Sequence, residues 1–471
     1  MVAKDIHDTA SHDTASHDTA VYDTAILGGG EAGAPLACHL ATAGLRAVLV
    51  EGQREGLVSC GSTKAALASA RLAYEARRAA AFGVVIPEVT IDFGAVLVRA
   101  KRIARRYERE HRRVQASCNI ERLWGRPRFE GKVGKYFMVQ AGNRLIKAER
   151  VVISTGSRPR LPPLAGLESL DYLHTGNWLD NPVLPGRLVV IGGGYSGVEM
   201  SQFYRRMGAQ VTLLQRGEHI LPREDADVAQ ALEDCLEEEG VSLELKAEAT
   251  GAQRQDGRVK VYYRQEGREK SLEASHLFVA TGREPNTDGL ALETVGVTRL
   301  EGGAIKVDEK LATSVKGIWA AGDARGEPML SHSAFDDYRV LSSQLGGDGL
   351  RTTDRLVPST VFSDPQLARV GMTERDALRT GQAVKVVKFD MKDNGKAVDL
   401  CETYGFIKLI VNTATRQLLG AAVLAHNGAE LIHSFVDLIN AGAPYTLIRD
   451  AIYIRPTFTE AVQGAAALLD G

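Results

Sequence analysis

Hydrophobic and polar positions alternate along most of the chain in the pattern of parallel strands linked by helices. From Tyr22 onward, short apolar and β-branched runs are each followed by a stretch with helical spacing. Residues 25–51 read AILGGGEAGAPLACHLATAGLRAVLVE, which predicts a strand, a glycine-rich turn, a helix and a second strand. The same unit recurs at 188–216. Two such units predict two nucleotide-binding domains.

The two ends of the chain depart from this pattern. After about residue 350 the chain predicts strands such as GFIKLIV and LLGAAVL and then helices, which indicates a separate α+β domain. The N-terminus carries HDTAS at 7–11 and 12–16, then HDTAV and YDTA. This repeat predicts a disordered, solvated tail. Its histidines at 7, 12 and 17 are candidates for weak metal binding, but such a tail has no preformed ligand geometry, so we expect no metal site.

Composition narrows the class of protein. The chain is 44% hydrophobic and 25% charged with a net charge of −2, which indicates a globular protein without general attraction to nucleic acid or membranes. No apolar run is long enough to span a bilayer, and the N-terminus lacks the apolar region of a secretory signal. The basic stretch 99–113 predicts the solvated face of an amphipathic helix, with Ile103 and Tyr107 on its apolar stripe, in preference to a nucleic-acid helix.

The cysteines point to a compartment. The five are scattered without a C-x2-C pair, and their spacing fits neither a disulfide framework nor a zinc site. We therefore predict a protein of the reducing cytoplasm.

The first glycine fingerprint predicts a dinucleotide site. Gly28 makes the tight turn, Gly30 lets the backbone approach a pyrophosphate, and Gly33 permits close helix–strand packing. Glu51, at the end of the next strand, can accept hydrogen bonds from both ribose hydroxyls. The position of this glycine fingerprint near the N-terminus favours FAD as the ligand.

The second fingerprint consists of Gly192, Gly194 and Gly197. Here the following strand ends in Gln215 and Arg216, without the acid that prefers a bare ribose. Arg216 is able to pair with the 2′-phosphate of NADPH, so NADPH is favoured over NADH. The alternative is that Arg216 is a surface residue just beyond the strand.

Four further segments, ISTGSRP at 153–159, FVATGREPN at 278–286, GIWAAGDA at 317–324 and PMLSHSAFDDYR at 328–339, follow in order. Together with the fingerprints, they resemble the class I pyridine nucleotide-disulfide oxidoreductases, the family of dihydrolipoyl dehydrogenase, glutathione reductase and mercuric reductase. The resemblance covers residue 22 to about 465. It implies FAD contacts at Lys64, Thr155, Gly156, Asp323, Met329, Leu330, Ser331 and His332, and NAD(P)H contacts at Tyr195, Glu199 and Gly282.

The resemblance also implies an architecture. We expect an α/β fold with two Rossmann-type, doubly wound, three-layer domains and a C-terminal α+β dimerisation domain. The predicted division is a tail at 1–21, an FAD domain at 22–157 and 281–350, an NAD(P) domain at 158–280, and the dimerisation domain at 351–471. A homodimer follows, as the family implies.

Lys64 and Glu199 match the family's ion pair beside the flavin N5 atom, where a fixed positive charge favours reduced flavin. The alternative is a simple interdomain salt bridge. Tyr195 matches a tyrosine that covers the flavin in some members until nicotinamide displaces it. The resemblance thus implies complete machinery for hydride transfer from NAD(P)H to FAD.

The opposite side of the flavin departs from the family. The pattern C-x4-C-x-P-S/T-K is reduced to Cys60 ahead of Lys64, and the stretch from Glu51 to Cys60 is shortened. Arginine, Arg455, replaces histidine in H-P-T-x-x-E, ahead of Glu460. Arginine cannot shuttle protons near neutral pH because its pKa stays above about 12. Arg455 can bind an anion or favour a nearby thiolate, or merely pair with Glu460; Cys60 can equally be a passive packing residue.

These departures decide the predicted function. We expect an FAD-dependent NAD(P)H oxidoreductase whose small-molecule acceptor is not a disulfide: a quinone, another organic molecule, a metal or O2. One alternative is a single-thiol reductase in which Cys60 acts on peroxide or coenzyme A disulfide. The other is a flavin-binding protein without turnover. Mercury reduction is disfavoured because no cysteine follows Cys401.

Overall fold

A computed structural model of the chain describes residues 20–52, 60–118 and 120–470. The side chains of Cys60, His111, Val114 and Gln115 lie outside this description, as does nearly all of the repeat tail predicted at 1–21. The strands are β1 Val21–Leu27, β2 Ala47–Glu51, β3 Glu121–Trp124, β4 Pro127–Val133, β5 Tyr136–Ala141, β6 Arg144–Ile153, β7 Ser157–Pro159, β8 Leu173–His174, β9 Arg187–Ile191, β10 Gln210–Gln215, β11 Val241–Leu245, β12 Ala247–Gln255, β13 Arg258–Gln265, β14 Arg268–Ala274, β15 His276–Val279, β16 Arg283–Pro285, β17 Ile318–Ala320, β18 Ser359–Val361, β19 Gln366–Gly371, β20 Val384–Asp390, β21 Phe406–Asn412 and β22 Leu418–Ala425. The helices are α1 Gly33–Thr42, α2 Cys60–Arg78, α3 Phe93–Ser117, α4 Tyr195–Met207, α5 Ala226–Glu238, α6 Ser331–Gly346, α7 Glu374–Arg379, α8 Gly395–Asp399, α9 Gly428–Asn440, α10 Thr446–Arg449 and α11 Glu460–Ala467.

The first sheet has the strand order β3-β2-β1-β6-β5-β4, and β17 pairs with β6. Strands β3, β2, β1, β6 and β17 run parallel, whereas β4 and β5 form an antiparallel extension. One face is covered by helices α1 and α6, where Leu36, Leu40 and Leu341 pack with Ile26 of β1 in a single cluster. The carboxyl ends of the parallel strands carry the first glycine turn.

The second sheet repeats this plan with five parallel strands in the order β11-β10-β9-β15-β8. Helices α4 and α5 pack on one face through Phe203 and Leu232, and the antiparallel β12-β13-β14 sheet covers the other. The short antiparallel pair β7 and β16 lies where the chain passes between the two sheets.

The C-terminal sheet is antiparallel, in the order β18-β19-β22-β21-β20. Helices α9 and α11 pack on it through Phe435 and Val462. The α/β fold class, with two Rossmann-type domains and a C-terminal α+β domain, is therefore confirmed. The domain boundaries stay predictions.

The basic helix differs from its prediction. Helix α3 runs from Phe93 to Ser117, and Tyr107 is 56% exposed although it was predicted to lie on the apolar stripe. Ile103 is partly buried against the core. The buried positions are Phe93, Leu97, Ala100 and Ala104, whose spacing forms a stripe mainly N-terminal to the stretch 99–113. The prediction for Tyr107 failed because only the basic stretch 99–113 was considered, whereas the buried stripe of α3 begins earlier, at Phe93.

The expectation that no disulfide forms is also wrong. Cys38 in α1 and Cys118, just beyond α3, form a disulfide; their Cα atoms lie 5.2 Å apart, and their sequence separation is 80. Local cysteine spacing could not reveal this pair because the fold alone brings these two helices together. Cys235 is a buried free cysteine and Cys401 an exposed one. Among the residues described, no helix is long and apolar enough to cross a membrane.

We expect this disulfide to stabilise the first domain measurably. Closing a loop of 80 residues removes unfolded-state entropy worth about 4 kcal/mol. Cys38→Ser should lower the melting temperature by several degrees, whereas the matched surface control Cys401→Ser should not. Denatured protein should show three free thiols before reduction and five after it, since two of the five cysteines are paired. Five thiols before reduction, with equal melting of both variants, would contradict this assignment.

Candidate functional site

The first glycine turn, between β1 and α1, leaves its backbone open to a ligand. A Cβ atom at Gly28, where φ is 113°, would collide with the carbonyl oxygen of Ser154. One at Gly33 would collide with the carbonyl oxygen of Gly28. Gly30, by contrast, has nothing within 4 Å of a Cβ position. The turn is therefore tight on its protein side and empty on the other, which fits the approach of an FAD pyrophosphate.

Glu51 ends β2 at the same edge of the sheet and is only 8% exposed. Arg122 of the neighbouring strand β3 donates to one of its carboxylate oxygens, with Nε at 3.0 Å. The other oxygen faces Gly29, because a Cβ there would collide with it. Glu51 is thus a fixed carboxylate beside the glycine turn. No sequence motif identified Arg122, since its position beside Glu51 depends on the pairing of β2 with β3.

The second glycine turn, between β9 and α4, has the same construction. Cβ atoms at Gly192 and Gly197 would collide with backbone, whereas Gly194 has open space. Gln215, predicted to meet the nucleotide, accepts a hydrogen bond from the backbone N–H of Gly193 at 3.2 Å and donates to the carbonyl of His219 at 3.0 Å. It holds the turn in place.

Arg216 lies exposed just beyond β10, and no ion pair or side-chain hydrogen bond engages it within the described part of the chain. Its guanidinium is therefore available to a ligand phosphate. The choice between NADPH and NADH stays a prediction.

The junction between the two sheets is fastened by the motif residues themselves. The Thr155 hydroxyl donates to the carbonyl of Asn286 at 2.7 Å, and the Asn286 N–H donates to the carbonyl of Gly156 at 2.9 Å. Gly282, with φ of 105°, accepts from the N–H of Arg160 at 2.9 Å. Thr155, Gly156 and Gly282 therefore shape the passage between the domains.

Asp323 lies in the turn after β17, at the carboxyl edge of the first sheet. Its carboxylate accepts a hydrogen bond from the Ser157 hydroxyl and lies 3.8 Å from Arg283 Nε, which itself donates to Ser157 at 2.7 Å. Burial lowers the pKa of Arg283, and the Asp323 carboxylate opposes this shift. Ser157 and Arg283 stand in the quoted motifs, but their side chains were not predicted to support Asp323.

The Asp337 side chain of α6 holds the turn that contains Asp323, and this role was not predicted from the sequence. Its fully buried carboxylate accepts the Gly322 N–H and Arg325 Nε, both at 2.7 Å. Helix α6 begins nearby, with Met329 and Leu330 partly buried before it. Ser331 and His332 are exposed in its first turn, and the His332 ring lies 2.7 Å from the carbonyl oxygen of Pro358.

Lys64 and Glu199 lie at the meeting point of three domains. Lys64 Nζ of α2 lies 2.7 and 2.8 Å from the two carboxylate oxygens of Glu199 in α4. Glu199 also accepts the N–H of Phe362 at 2.8 Å, and Lys64 Nζ is 4.1 Å from the centre of the Phe362 ring. Lys64 and Phe362 line one side of a cavity of about 170 Å³. The ion pair is present, and its role beside a flavin stays a prediction.

Tyr195 begins α4, directly after the second glycine turn. Its ring is partly buried, and its hydroxyl lies 3.5 Å from a carboxylate oxygen of Glu224. Burial, reinforced by the charge of Glu224, raises the pKa of Tyr195, so the phenol remains a hydrogen-bond donor at neutral pH.

Arg455 and Glu460 pair with each other. Arg455 Nε lies 3.1 Å from Glu460, whose other oxygen accepts the Thr457 N–H at 2.9 Å. The Arg455 side chain is 73% exposed and the Glu460 side chain 15%. Cys60 begins α2, but its side chain lies outside the described residues. Within the described chain, no contact joins Arg455 or Glu460 to Lys64 or Glu199.

Comparison with known proteins accords with this arrangement. The profile of the family described as pyridine nucleotide-disulphide oxidoreductase matches residues 22–337, and that of its dimerisation domain matches residues 357–466. The probable pyridine nucleotide-disulfide oxidoreductase RclA of Escherichia coli is 31% identical over 94% of this chain and 98% of its own length. A dihydrolipoyl dehydrogenase of Chlorobaculum tepidum is 30% identical over 94% and 95%, respectively.

Solved structures give the same result. RclA from Escherichia coli, described as an HOCl-induced flavoprotein disulfide reductase, superposes with a TM-score of 0.86 at 31% identity, covering 95% of this chain and all of RclA. It has also been solved as a Cu(II) complex. LpdA from Mycobacterium tuberculosis gives a TM-score of 0.86 at 28% identity, covering 96% of this chain and 100% of LpdA.

The chain belongs to the pyridine nucleotide-disulfide oxidoreductase family. It is an FAD-dependent NAD(P)H oxidoreductase with that family's dimerisation domain at its C-terminus.

The two glycine turns predict separable losses of ligand. Gly33→Ala places a methyl group against the Gly28 carbonyl and should leave the purified protein largely colourless. Gly197→Ala makes the equivalent clash in the second turn; the protein should stay yellow while its apparent Kd for NAD(P)H rises at least about tenfold, since helix–strand packing at this turn fixes the pyrophosphate site. Bound flavin measured by absorbance and nucleotide titration separate the two effects. Loss of FAD from the Gly197→Ala variant alone would contradict the assignment.

Proposed function

We propose that this enzyme passes electrons from NAD(P)H through FAD to an acceptor that is not a disulfide, such as a quinone, another small organic molecule, a metal ion or O2. Bound FAD supplies the ability to accept a hydride from NAD(P)H and to pass on its electrons. The chain's own residues bind the two nucleotides, fix charge beside the flavin and shape the acceptor pocket. The observation that carries the proposal is that neither the sequence just before Cys60 nor the described part of the chain supplies a second thiol beside it.

The positions of the other cysteines support this proposal. Residues 53–59, which precede Cys60, contain no cysteine. Cys38 and Cys118 are paired with each other. Cys401 accepts a hydrogen bond from Arg78 at 2.8 Å through its carbonyl, and Arg78 ends the helix that Cys60 begins. Because a helix rises 1.5 Å per residue, these two ends of α2 lie about 27 Å apart.

Cys235 is also remote. Its Sγ lies 3.7 Å from the carbonyl oxygen of Asp364, whose carboxylate pairs with Arg71 at 2.6 Å. Arg71 is three turns along α2, about 16 Å from Cys60. Burial also raises the pKa of Cys235, which keeps this thiol protonated and unreactive. A dithiol relay within one chain therefore has only Cys60 to draw on.

The side of the flavin that would receive hydride from NAD(P)H keeps the residues that the family uses there. Lys64, held by Glu199 and the Phe362 ring, would place its charge beside the flavin, where it favours the reduced form. Tyr195 would lie at the nicotinamide entrance. The exposed Arg216 would pair with the 2′-phosphate, which favours NADPH over NADH.

Dimerisation would complete the acceptor pocket. The segment before Arg455 exposes Leu447, Ile452 and Ile454, at 63%, 102% and 81%, within the matched dimerisation domain. Covering these apolar side chains favours a homodimer. In the family arrangement, Arg455 and Glu460 of one protomer would then lie across the interface from Cys60 of the other. Arg455 would attract an anionic acceptor, but it cannot take over the proton shuttling of the histidine it replaces.

Anaerobic reduction followed by an acceptor screen tests this function. We expect NADPH to bleach the flavin, and quinone, Cu(II) or O2 to reoxidise it. Cu(II) is included because RclA binds it. Turnover with lipoamide or glutathione disulfide should be at least about 100-fold lower, because nucleophile and proton shuttle are both incomplete. Comparable turnover with a disulfide would overturn the proposal, and a flavin that stays oxidised under both nicotinamides would point to a protein without turnover.

One observation favours a single-thiol reductase as a second candidate. Cys60, four residues before Lys64, matches the position of the family's flavin-proximal cysteine, so one thiol remains in place to react. Such an enzyme would cycle Cys60 through a sulfenate or mixed disulfide.

Cys60→Ser separates the two candidates. We expect quinone turnover by this variant to stay within about twofold of wild type, because direct electron transfer from flavin needs no thiol. Cys401→Ser is the matched control for removing a cysteine. Turnover with peroxide or coenzyme A disulfide that is abolished in Cys60→Ser and retained in Cys401→Ser would instead establish the single-thiol function.

A further inference from the structure

The segment 223–227 of the nucleotide domain forms ion pairs with both of the other domains. Arg223 donates to the two carboxylate oxygens of Glu327, in the part of the chain that belongs to the first sheet's domain, at 2.8 and 3.0 Å. At its other end, Asp225 and Asp227 hold the fully buried ammonium group of Lys408 on strand β21, at 3.1 and 2.9 Å. The segment is thus fixed from both sides.

Glu224 lies in the middle of this segment and is only 4% exposed. Its Oε2 accepts Arg369 Nε at 2.9 Å, and Arg369, on strand β19 of the dimerisation domain, also donates to the carbonyl of Gly371 at 3.1 Å. The guanidinium is therefore anchored to its own strand, and the carboxylate is anchored to the guanidinium. Burial raises the pKa of Glu224, while the charge of Arg369 and its hydrogen bond oppose this shift.

The remaining oxygen of Glu224 faces Tyr195, whose hydroxyl lies 3.5 Å away. The Ser359 hydroxyl, at the first residue of β18, also interacts with this phenol. Two groups thus face the Tyr195 hydroxyl, Ser359 directly from the dimerisation domain and Glu224 held by Arg369 of the same domain. If the tyrosine ring moved, its hydroxyl would lose both, because Glu224 cannot follow while Arg369 and the flanking contacts hold it.

We propose that Glu224 and Arg369 are a positioning pair that sets the resting place of Tyr195, so that the dimerisation domain controls how readily nicotinamide reaches the flavin. The inference rests on the proposed function, in which Tyr195 lies at the nicotinamide entrance. Neither residue touches the reacting atoms. They change the free energy needed to move the Tyr195 ring aside. A larger free-energy cost raises the apparent Kd of the nucleotide.

Arg369→Met tests the inference most sharply, because residue 369 is in another domain and does not contact Tyr195. We expect a threefold to tenfold decrease in the apparent Kd for NAD(P)H, about the effect of one hydrogen bond, with the limiting rate of flavin reduction within about twofold. Tyr195→Phe, which removes the contacts to both Glu224 and Ser359, should give at least as large a decrease. The double variant should match Tyr195→Phe, since Arg369 acts only through the phenol that this substitution removes. Arg369→Lys should restore the wild-type Kd in part.

Asp227→Asn is the matched control, because it weakens the Lys408 contact in the same segment without facing Tyr195. It should leave the Kd unchanged. If Arg369→Met does not fold, Glu224→Gln and Arg369→Lys carry the comparison. Two results would overturn this inference alone, provided that NAD(P)H reduces the wild-type flavin. The first is an unchanged Kd in Arg369→Met and Tyr195→Phe, and the second is additive effects of these two substitutions. Wild-type flavin that NAD(P)H does not reduce would overturn the proposed function, and this inference with it.

Discussion

The ion pair between Lys64 and Glu199 is the interaction on which the arrangement of the domains depends. Glu199 has an 8% exposed side chain and sits at the start of α4, and it holds both the ammonium of α2 and the backbone N–H of Phe362. A buried carboxylate that accepts three charge-assisted hydrogen bonds from two partners is satisfied only when all three domains are docked. Removing one partner of such a pair typically costs about 3–5 kcal/mol, because the other charge is left buried. The same contact therefore enforces assembly and fixes a positive charge at the domain junction.

Much of the fold was predictable from the sequence because its constraints are local. Gly28 and Gly33 are required wherever a strand turns sharply into a helix packed on its own turn, and the clashes of a Cβ at either position show why no other residue serves. The repeat of this pattern at Gly192 and Gly197 fixed the second domain by the same reasoning. Continuous apolar runs separated by helical stretches then predicted parallel strands, because strands buried on both faces of a sheet are apolar throughout.

The remainder of the site depends on register and docking, which a single sequence does not encode locally. Arg122 reaches Glu51 because β3 pairs beside β2, and Cys38 meets Cys118 because α3 ends beside α1. The Glu224 carboxylate, which faces Tyr195, pairs with Arg369 from another domain. The stripe of α3 was misassigned for a related reason: Tyr107 has the right spacing, but the core ends before it. Spacing identifies a helix face, whereas the packed neighbour determines how far that face is buried.

The departures from the family are unevenly distributed, and this distribution constrains mechanism. Hydride transfer from NAD(P)H to FAD requires both nucleotides to be bound. The residues predicted to bind them, or to place charge beside the flavin, lie in the two glycine turns and in α2 and α4. Disulfide exchange requires two thiols within bonding distance and a titrating base. The described cysteines supply no second thiol beside Cys60, since Cys38 and Cys118 pair with each other and Cys235 and Cys401 lie elsewhere, and Arg455, which pairs with Glu460, is no titrating base. An enzyme that keeps the first set of groups and lacks the second can still turn over, provided that its acceptor takes electrons without forming a bond to sulfur.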